Sequence, residues 1–268
     1  MQAPRLVATD VDGTLLGHDE LVGERTVAVI ERLVAHGVGF VIVTGRPPRW
    51  IPPVAAQLPS ARLAVCANGA LLYDLVEDRI VWARTIAPAA LAELVAAAVG
   101  ALPECGIAVE RASAGGSESV QFVADPGYRH AWPAGDGDVA ERAELVTRPA
   151  VKMLIRCPSW TSEAMVDALA PVVGDLADIT FSHPRGLLEL SASGVTKATG
   201  LAAVAESLDV PAAAVVAFGD MPNDLEMLRW AGHGVAMGNA HPALLAAADE
   251  VTADNTDDGI ALVLERWF

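Results

Sequence analysis

Short apolar runs recur along the chain, and each stops at a polar or glycine-containing cluster. Leu6–Thr9 ends at Asp10, residues 38–43 ("VGFVIV") end at "TGR", and Leu63–Cys66 ends at Asn68 and Gly69. Residues 214–218 ("AVVAF") end at "GDMPND", and residues 233–237 ("HGVAM") end at "GNA". These runs do not alternate with polar residues, as strands buried on both faces of a parallel sheet should not. Between them lie helical patterns. Residues 25–36 carry Val27, Ile30 and Val34 and stop at Gly37; residues 197–208 carry Leu201, Val204, Ala205 and Leu208 at helical spacing. Residues 242–248 form a further candidate helix. Strand and helix in alternation predict an α/β fold, a doubly wound parallel sheet with right-handed crossovers.

The middle of the chain breaks this rhythm. From about residue 86 to 184 the pattern gives a helix at Pro88–Ala101, a polar stretch ("ERASAGGSESVQFVA") and a loop-like "DPGYRHAWPAGDGD". A strand-like "AVKMLIRC" and a helix at Ser162–Val173 follow. Strands and helices without regular alternation predict an inserted α+β domain over residues 86–184. Residues 1–85 and 185–268 then form one split core domain.

Composition narrows the function classes. The 268 residues suit two domains, and 53% are apolar, with a mean hydropathy of +0.38, so a packed fold is expected rather than disorder. The net charge of −16 repels nucleic-acid phosphates and anionic lipid surfaces. No nucleic-acid or membrane partner is expected. A small anionic substrate stays compatible, since a bound cation can reverse the field inside one cleft. Cys66, Cys105 and Cys157 are far apart and form no CxxC pair, so reduced thiols are expected. No signal-peptide pattern opens the sequence, and the most apolar long stretch, residues 86–109, is interrupted by Pro88, Glu93, Pro103 and Glu104. A cytoplasmic protein is the expectation.

Ligands of an open parallel sheet bind beyond the carboxyl ends of its strands. Here those ends carry Asp10 and Asp12, Thr44, Asn68, and Asp220 with Asn223 and Asp224. Taken singly, each has an ordinary reading: "DVDGT" as an Asp-Gly turn, "TGR" as a strand-to-helix turn, "GDMPND" as a helix start. Together they converge on one edge. If Asp10, Asp12 and Asp220 meet, two carboxylates about 4 Å apart repel by roughly 4 kcal/mol at an effective dielectric of 20. A hard divalent cation with oxygen ligands removes that conflict and attracts a phosphate.

The same residues carry a resemblance. "DVDGTLL" (10–16), "VTGR" (43–46), "GVTK" (194–197) and "FGDMPNDLEML" (218–228) resemble the four motifs of the haloacid dehalogenase (HAD) superfamily, and within it the Cof-type phosphatases. "NGA" (68–70) and "ADNTDDGIA" (253–261) are similar to that group too, while Ala198 stands where relatives commonly have glycine. The resemblance implies a Rossmann-like core with an α/β cap and a Mg²⁺-dependent phosphatase of a small phosphorylated metabolite, a sugar phosphate or a nucleotide or cofactor phosphate. It implies Asp10 as nucleophile and Asp12 as general acid and base. Asp10, Asp220 and a backbone carbonyl at Val11 or Asp12 would hold the metal. Thr44, Gly45, Lys197 and Asn223 would bind phosphate, with Asp224 supporting the metal waters or Lys197. Transfer of the phosphoryl group to a second hydroxyl, as in phosphomutases with a similar cap, stays open, as does a specialised glycosyl-phosphoglycerate phosphatase. Substrate choice is expected in the cap. There Tyr128, Arg129, His130 and Trp132 form a polar-aromatic group that reads first as loop surface. Glu189 is a candidate for a substrate hydroxyl or a structural hydrogen bond. His18, His36, His183 and His241 show no partner pattern.

Overall fold

The structure, a computed structural model, describes residues 2–113, 115–131 and 137–268. Its first unit opens with β1 (Leu6–Thr9), α1 (Glu24–Ala35), β2 (Gly39–Val43), α2 (Pro52–Ala55), β3 (Leu63–Cys66), β4 (Leu71–Asp74) and β5 (Arg79–Ala83). The chain then enters a second unit: α3 (Pro88–Ala101), β6 (Gly106–Ala112), β7 (Val120–Ala124), β8 (Asp138–Val139), α4 (Arg142–Leu145), β9 (Lys152–Arg156), α5 (Ser162–Val173), β10 (Ala177–Thr180) and β11 (Leu187–Ala192). It returns through α6 (Lys197–Ser207), β12 (Val215–Gly219), α7 (Leu225–Trp230), β13 (His233–Ala236), α8 (Pro242–Leu245), β14 (Glu250–Val251) and α9 (Gly259–Leu264).

The core sheet has the order β14-β13-β12-β1-β2-β3-β4-β5. Its first six strands are parallel, and β4 and β5 add an antiparallel hairpin at one edge that the apolar pattern did not announce. β1 lies between β2 and β12 and is fully buried, which explains its unbroken apolar run. Alternate residues serve opposite faces. Val7, Ile42 and Val216 pack with Val29, Ile30 and Leu33 of α1 and with Ile260, Val263 and Leu264 of α9. Leu6, Ala8, Val41 and Ala217 pack with Leu201 and Val204 of α6 and with Met227 and Leu228 of α7. Each such aliphatic side chain contributes roughly 1.5–3 kcal/mol on burial.

The second sheet runs β10-β11-β9-β6-β7-β8, antiparallel apart from β7 with β8. β7 and the end of β6 lie in the stretch expected to be polar. β6 is buried almost throughout, and Glu110 and Arg111 interrupt its apolar signal. The sheet extends past residue 184, because β11 bonds to β9 and β10 and not to the core sheet. One face, with Ile107, Val109, Met153, Ile155, Leu188 and Leu190, is covered by Leu91, Leu94 and Ala98 of α3 and by Met165 and Leu169 of α5. The register places Glu110, Phe122, Lys152, Leu154 and Glu189 on the opposite face, toward the core unit. Among the described residues, no helix is long and apolar enough to cross a membrane.

Candidate active site

Asp10 follows β1 directly, and its N–H donates to the Phe218 carbonyl of β12. The neighbouring parallel strand thus brings residues 219–224 to the same edge. Lys197, the first residue of α6, is completely buried, and its ammonium donates to Asp10 Oδ1 and Asp224 Oδ1, both at 2.6 Å. Asp224 Oδ2 accepts the backbone N–H groups of Asp220 and Met221. The Thr14 hydroxyl donates to Asp220 Oδ1 at 2.9 Å. α6 begins there because Thr196 caps it and Thr199 bonds back to the Thr196 N–H, a reciprocal capping box.

Asp10, Asp220 and Asp224 can offer ligand atoms all within 4.8 Å of one another. Burial pushes the Asp10 carboxyl well above its ordinary value; Asp224, Asp220 and Asp12 push the same way, and Lys197 opposes them. Burial, followed by Asp224, lifts Asp220 to about 7. Burial works against the Lys197 charge, but Asp10 and Asp224 outweigh it and raise the ammonium's pKa. The trio therefore sets an excess of acidic groups against the single ammonium of Lys197. An all-oxygen donor set with that excess fits a hard divalent cation. The Asp12 carboxylate is not in this trio. It is largely exposed, and Arg46 binds both its oxygens, at 2.9 and 2.6 Å. Asp224 takes the third place in the buried carboxylate cluster.

A cavity of about 600 Å³ opens at this point between the two units. Of the expected site residues, Asp10, Asp12, Gly45 and Asn223 line it; Thr44, Lys197, Asp220 and Asp224 are buried behind them. The Thr44 hydroxyl accepts the Arg46 N–H. A polar chain joins the units along one wall. Asn223 Nδ2 donates to Asn68 Oδ1, and Asn68 Nδ2 donates to Glu189 Oε2. Lys152 donates to Glu189 Oε2 at 2.6 Å and to the Gly45 carbonyl, and Ser182 donates to Glu189 Oε1. Glu189 thus has a structural hydrogen-bonding role here, while it also lines the cavity.

The sequence reading missed Glu110, Phe122, Lys152 and Leu154 from the second sheet, and Arg49 and Trp50 from the loop after β2, all of which line the cavity. The available signal was a charged residue inside an otherwise apolar strand: Lys152 in "AVKMLIRC" and Glu110 in "IAVERA". Of the polar-aromatic group, Tyr128 is not surface. It is buried among Phe122, Leu154 and Leu187, and its ring meets Phe122 and His130. His130 lines the cavity, Arg129 is exposed, and Trp132 lies outside the described residues. His183 lines the cavity, with its pKa held down by burial and by Arg185 and Arg156. His241 pairs with Glu163 across the units, and His18 and His36 are exposed.

The profile of the haloacid dehalogenase-like hydrolases matches residues 7–264. The chain belongs to this family. The "5-amino-6-(5-phospho-D-ribitylamino)uracil phosphatase YitU" of Bacillus subtilis (strain 168) is 32% identical to this HAD hydrolase over 273 residues, covering 99% of this chain and 98% of the relative. An "HMP-PP phosphatase" of Cronobacter sakazakii is 30% identical over 280 residues, covering 98% and 96%. A solved structure described as a HAD subclass IIB sugar phosphatase superposes with a TM-score of 0.83 at 21% identity, covering 98% of each chain. That likeness bears on the fold: a core sheet with a second, inserted unit.

Proposed function

We propose that this HAD hydrolase is a Mg²⁺-dependent phosphatase that releases phosphate from a small phosphorylated metabolite. The observation that carries the reading is the buried trio Asp10, Asp220 and Asp224 around Lys197, at the closed end of a cavity between core and cap. The relatives' names add support: one acts on a phosphorylated ribitylaminouracil, another on HMP-PP.

In this reading Asp10, Asp220 and a backbone carbonyl at Val11 or Asp12 hold the metal, and Asp224 supports them. When bound, the metal neutralises charge on the phosphoryl group and removes the repulsion among the carboxylates. An Asp10 oxygen attacks phosphorus, and the bond from phosphorus to the ester oxygen breaks. Asp12 gives its proton to that departing oxygen, then takes one from a water that attacks the aspartyl-phosphate and frees inorganic phosphate. Both steps require Asp12 to part from Arg46. Lys197 holds Asp10 in place and faces the developing charge. The Thr44 hydroxyl, the Gly45 N–H and Asn223 bind phosphate oxygens. Three buried free cysteines and the acidic balance suit a cytoplasmic enzyme.

The test is hydrolysis of p-nitrophenyl phosphate with Mg²⁺, with a chelator, and by Asp10→Asn. Loss of roughly 10³-fold or more in the variant is expected, as for removal of a nucleophile. Activity that survives the substitution, or that needs no metal, overturns the mechanism.

A further inference from the structure

Charge pairing along the cavity sets what its far end can receive. Among the described residues, its three Arg and Lys side chains are each already in an ion pair. Arg46 is with Asp12, Lys152 with Glu189, and Arg49 with Glu110 at 3.3 Å. A second anionic group drawn to one of these three side chains would have to break its pair, leaving a carboxylate beside it. The cap side offers acceptors instead. Glu110 projects from the open face of β6, opposite Phe122 on one side and Lys152 on the other. Its side chain is only 4% exposed, one oxygen meets Arg49, and the other has no hydrogen-bond partner. A buried, unpartnered carboxylate oxygen costs free energy until a donor reaches it. Glu110 lines the cavity, and its broad terminal torsion lets the carboxylate turn to meet a donor there while keeping Arg49. Phe122, Trp50 and Leu154 supply the apolar surface around it.

We propose that Glu110 is a specificity-determining residue of the cap, accepting a hydrogen bond from an uncharged, donor-bearing leaving group. The donor is a hydroxyl or an N–H, on a body that packs against Phe122 and Trp50. Monoesters with a second phosphate or a carboxylate at that end are poor substrates. This inference rests on the phosphatase reading of the same site.

The experiment compares kcat/KM for ribitol 5-phosphate (hydroxyl donors), a 4-aminopyrimidinylmethyl phosphate (N–H donors), butyl phosphate (none) and 3-phosphoglycerate (a carboxylate). The wild type should favour at least one donor substrate over butyl phosphate and 3-phosphoglycerate by roughly 10- to 100-fold, the range for a hydrogen bond to a charged acceptor. Which donor wins separates a polyol from an amino-heterocycle. Glu110→Gln and Glu110→Asp, checked for an unchanged melting temperature and circular dichroism spectrum, should bring that ratio toward one. A ratio unmoved in both variants, or rates falling equally on every substrate, shows a cap-docking contact only and overturns the proposal. So does a preference for 3-phosphoglycerate. Absence of Asp10-dependent hydrolysis on all four would overturn the phosphatase reading itself, and this proposal with it.

Discussion

Gly13 shows how one residue serves the site. It follows the Asp10–Asp12 pair with φ +76°, in the left-handed region that glycine tolerates. A Cβ there would stand 2.3 Å from Asp220 Oδ2, and Thr14 fixes the other Asp220 oxygen. Asp220 cannot yield without losing that hydrogen bond or its place beside Asp10. Gly13→Ala should therefore cost roughly 1–3 kcal/mol of stability through backbone strain. It should also raise the Mg²⁺ concentration for half-maximal activity. A Mg²⁺ titration of p-nitrophenyl phosphate hydrolysis checks this. An unchanged half-saturation point would mean that Asp220 does not hold the metal.

Among the elements, β9 and β11 join the cap to the core where Lys152 donates to the Gly45 carbonyl and Glu189 accepts from Asn68, and the two side chains pair with each other. Burial favours the uncharged Glu189 carboxyl, but the Lys152 ammonium outweighs it and holds the group below its ordinary 4.5. A depressed carboxylate lends stability above its unfolded value and loses it as pH falls through the folded one. Glu189→Gln leaves Lys152 buried without its counter-charge, at a cost of about 3 kcal/mol near neutral pH. As pH falls below 4.5 the unfolded carboxyl takes up its proton first while the folded one holds its charge, so the stability gap between wild type and variant should narrow. Urea unfolding at pH 7 and pH 3.5 measures both gaps, and a gap independent of pH sinks the assignment. These strands also mark the limit of reading the sequence. β1 and β3 were legible to the residue, because strands buried on both faces leave unbroken apolar runs. The strand-end motifs brought Asp10 and Asp220 to one edge for the same reason, whereas Lys197, within a helical pattern, was placed there by the family resemblance alone. Glu110 and Lys152 were not legible as cavity residues. Their direction follows from antiparallel register across strands distant in sequence, and a charge within a strand does not say which face it takes. Nor does "TGR" reveal that Arg46 folds back onto Asp12.

The whole molecule is two packed units, each with its own apolar core, joined at residues 84–87 and 193–196. The carboxylates proposed to hold the metal all belong to the core unit, while Arg49–Glu110, Lys152–Gly45 and His241–Glu163 hold the cap against it. Ligand binding to the folded core should therefore stabilise it without help from the cap. At a Mg²⁺ concentration of 100 times the dissociation constant, the gain is about 2.7 kcal/mol. For a unit of this size that is roughly 5–10 °C in melting temperature. Asp220→Asn removes one donor and lowers the excess of negative charge, so it should lose most of the shift. Lys197→Met should keep a shift at least as large as that of the wild type, because it leaves Asp10, Asp220 and Asp224 in place and removes the cation that competes for them. Differential scanning calorimetry with and without Mg²⁺ separates the three proteins. Equal shifts in all three would place the ion somewhere other than at this trio.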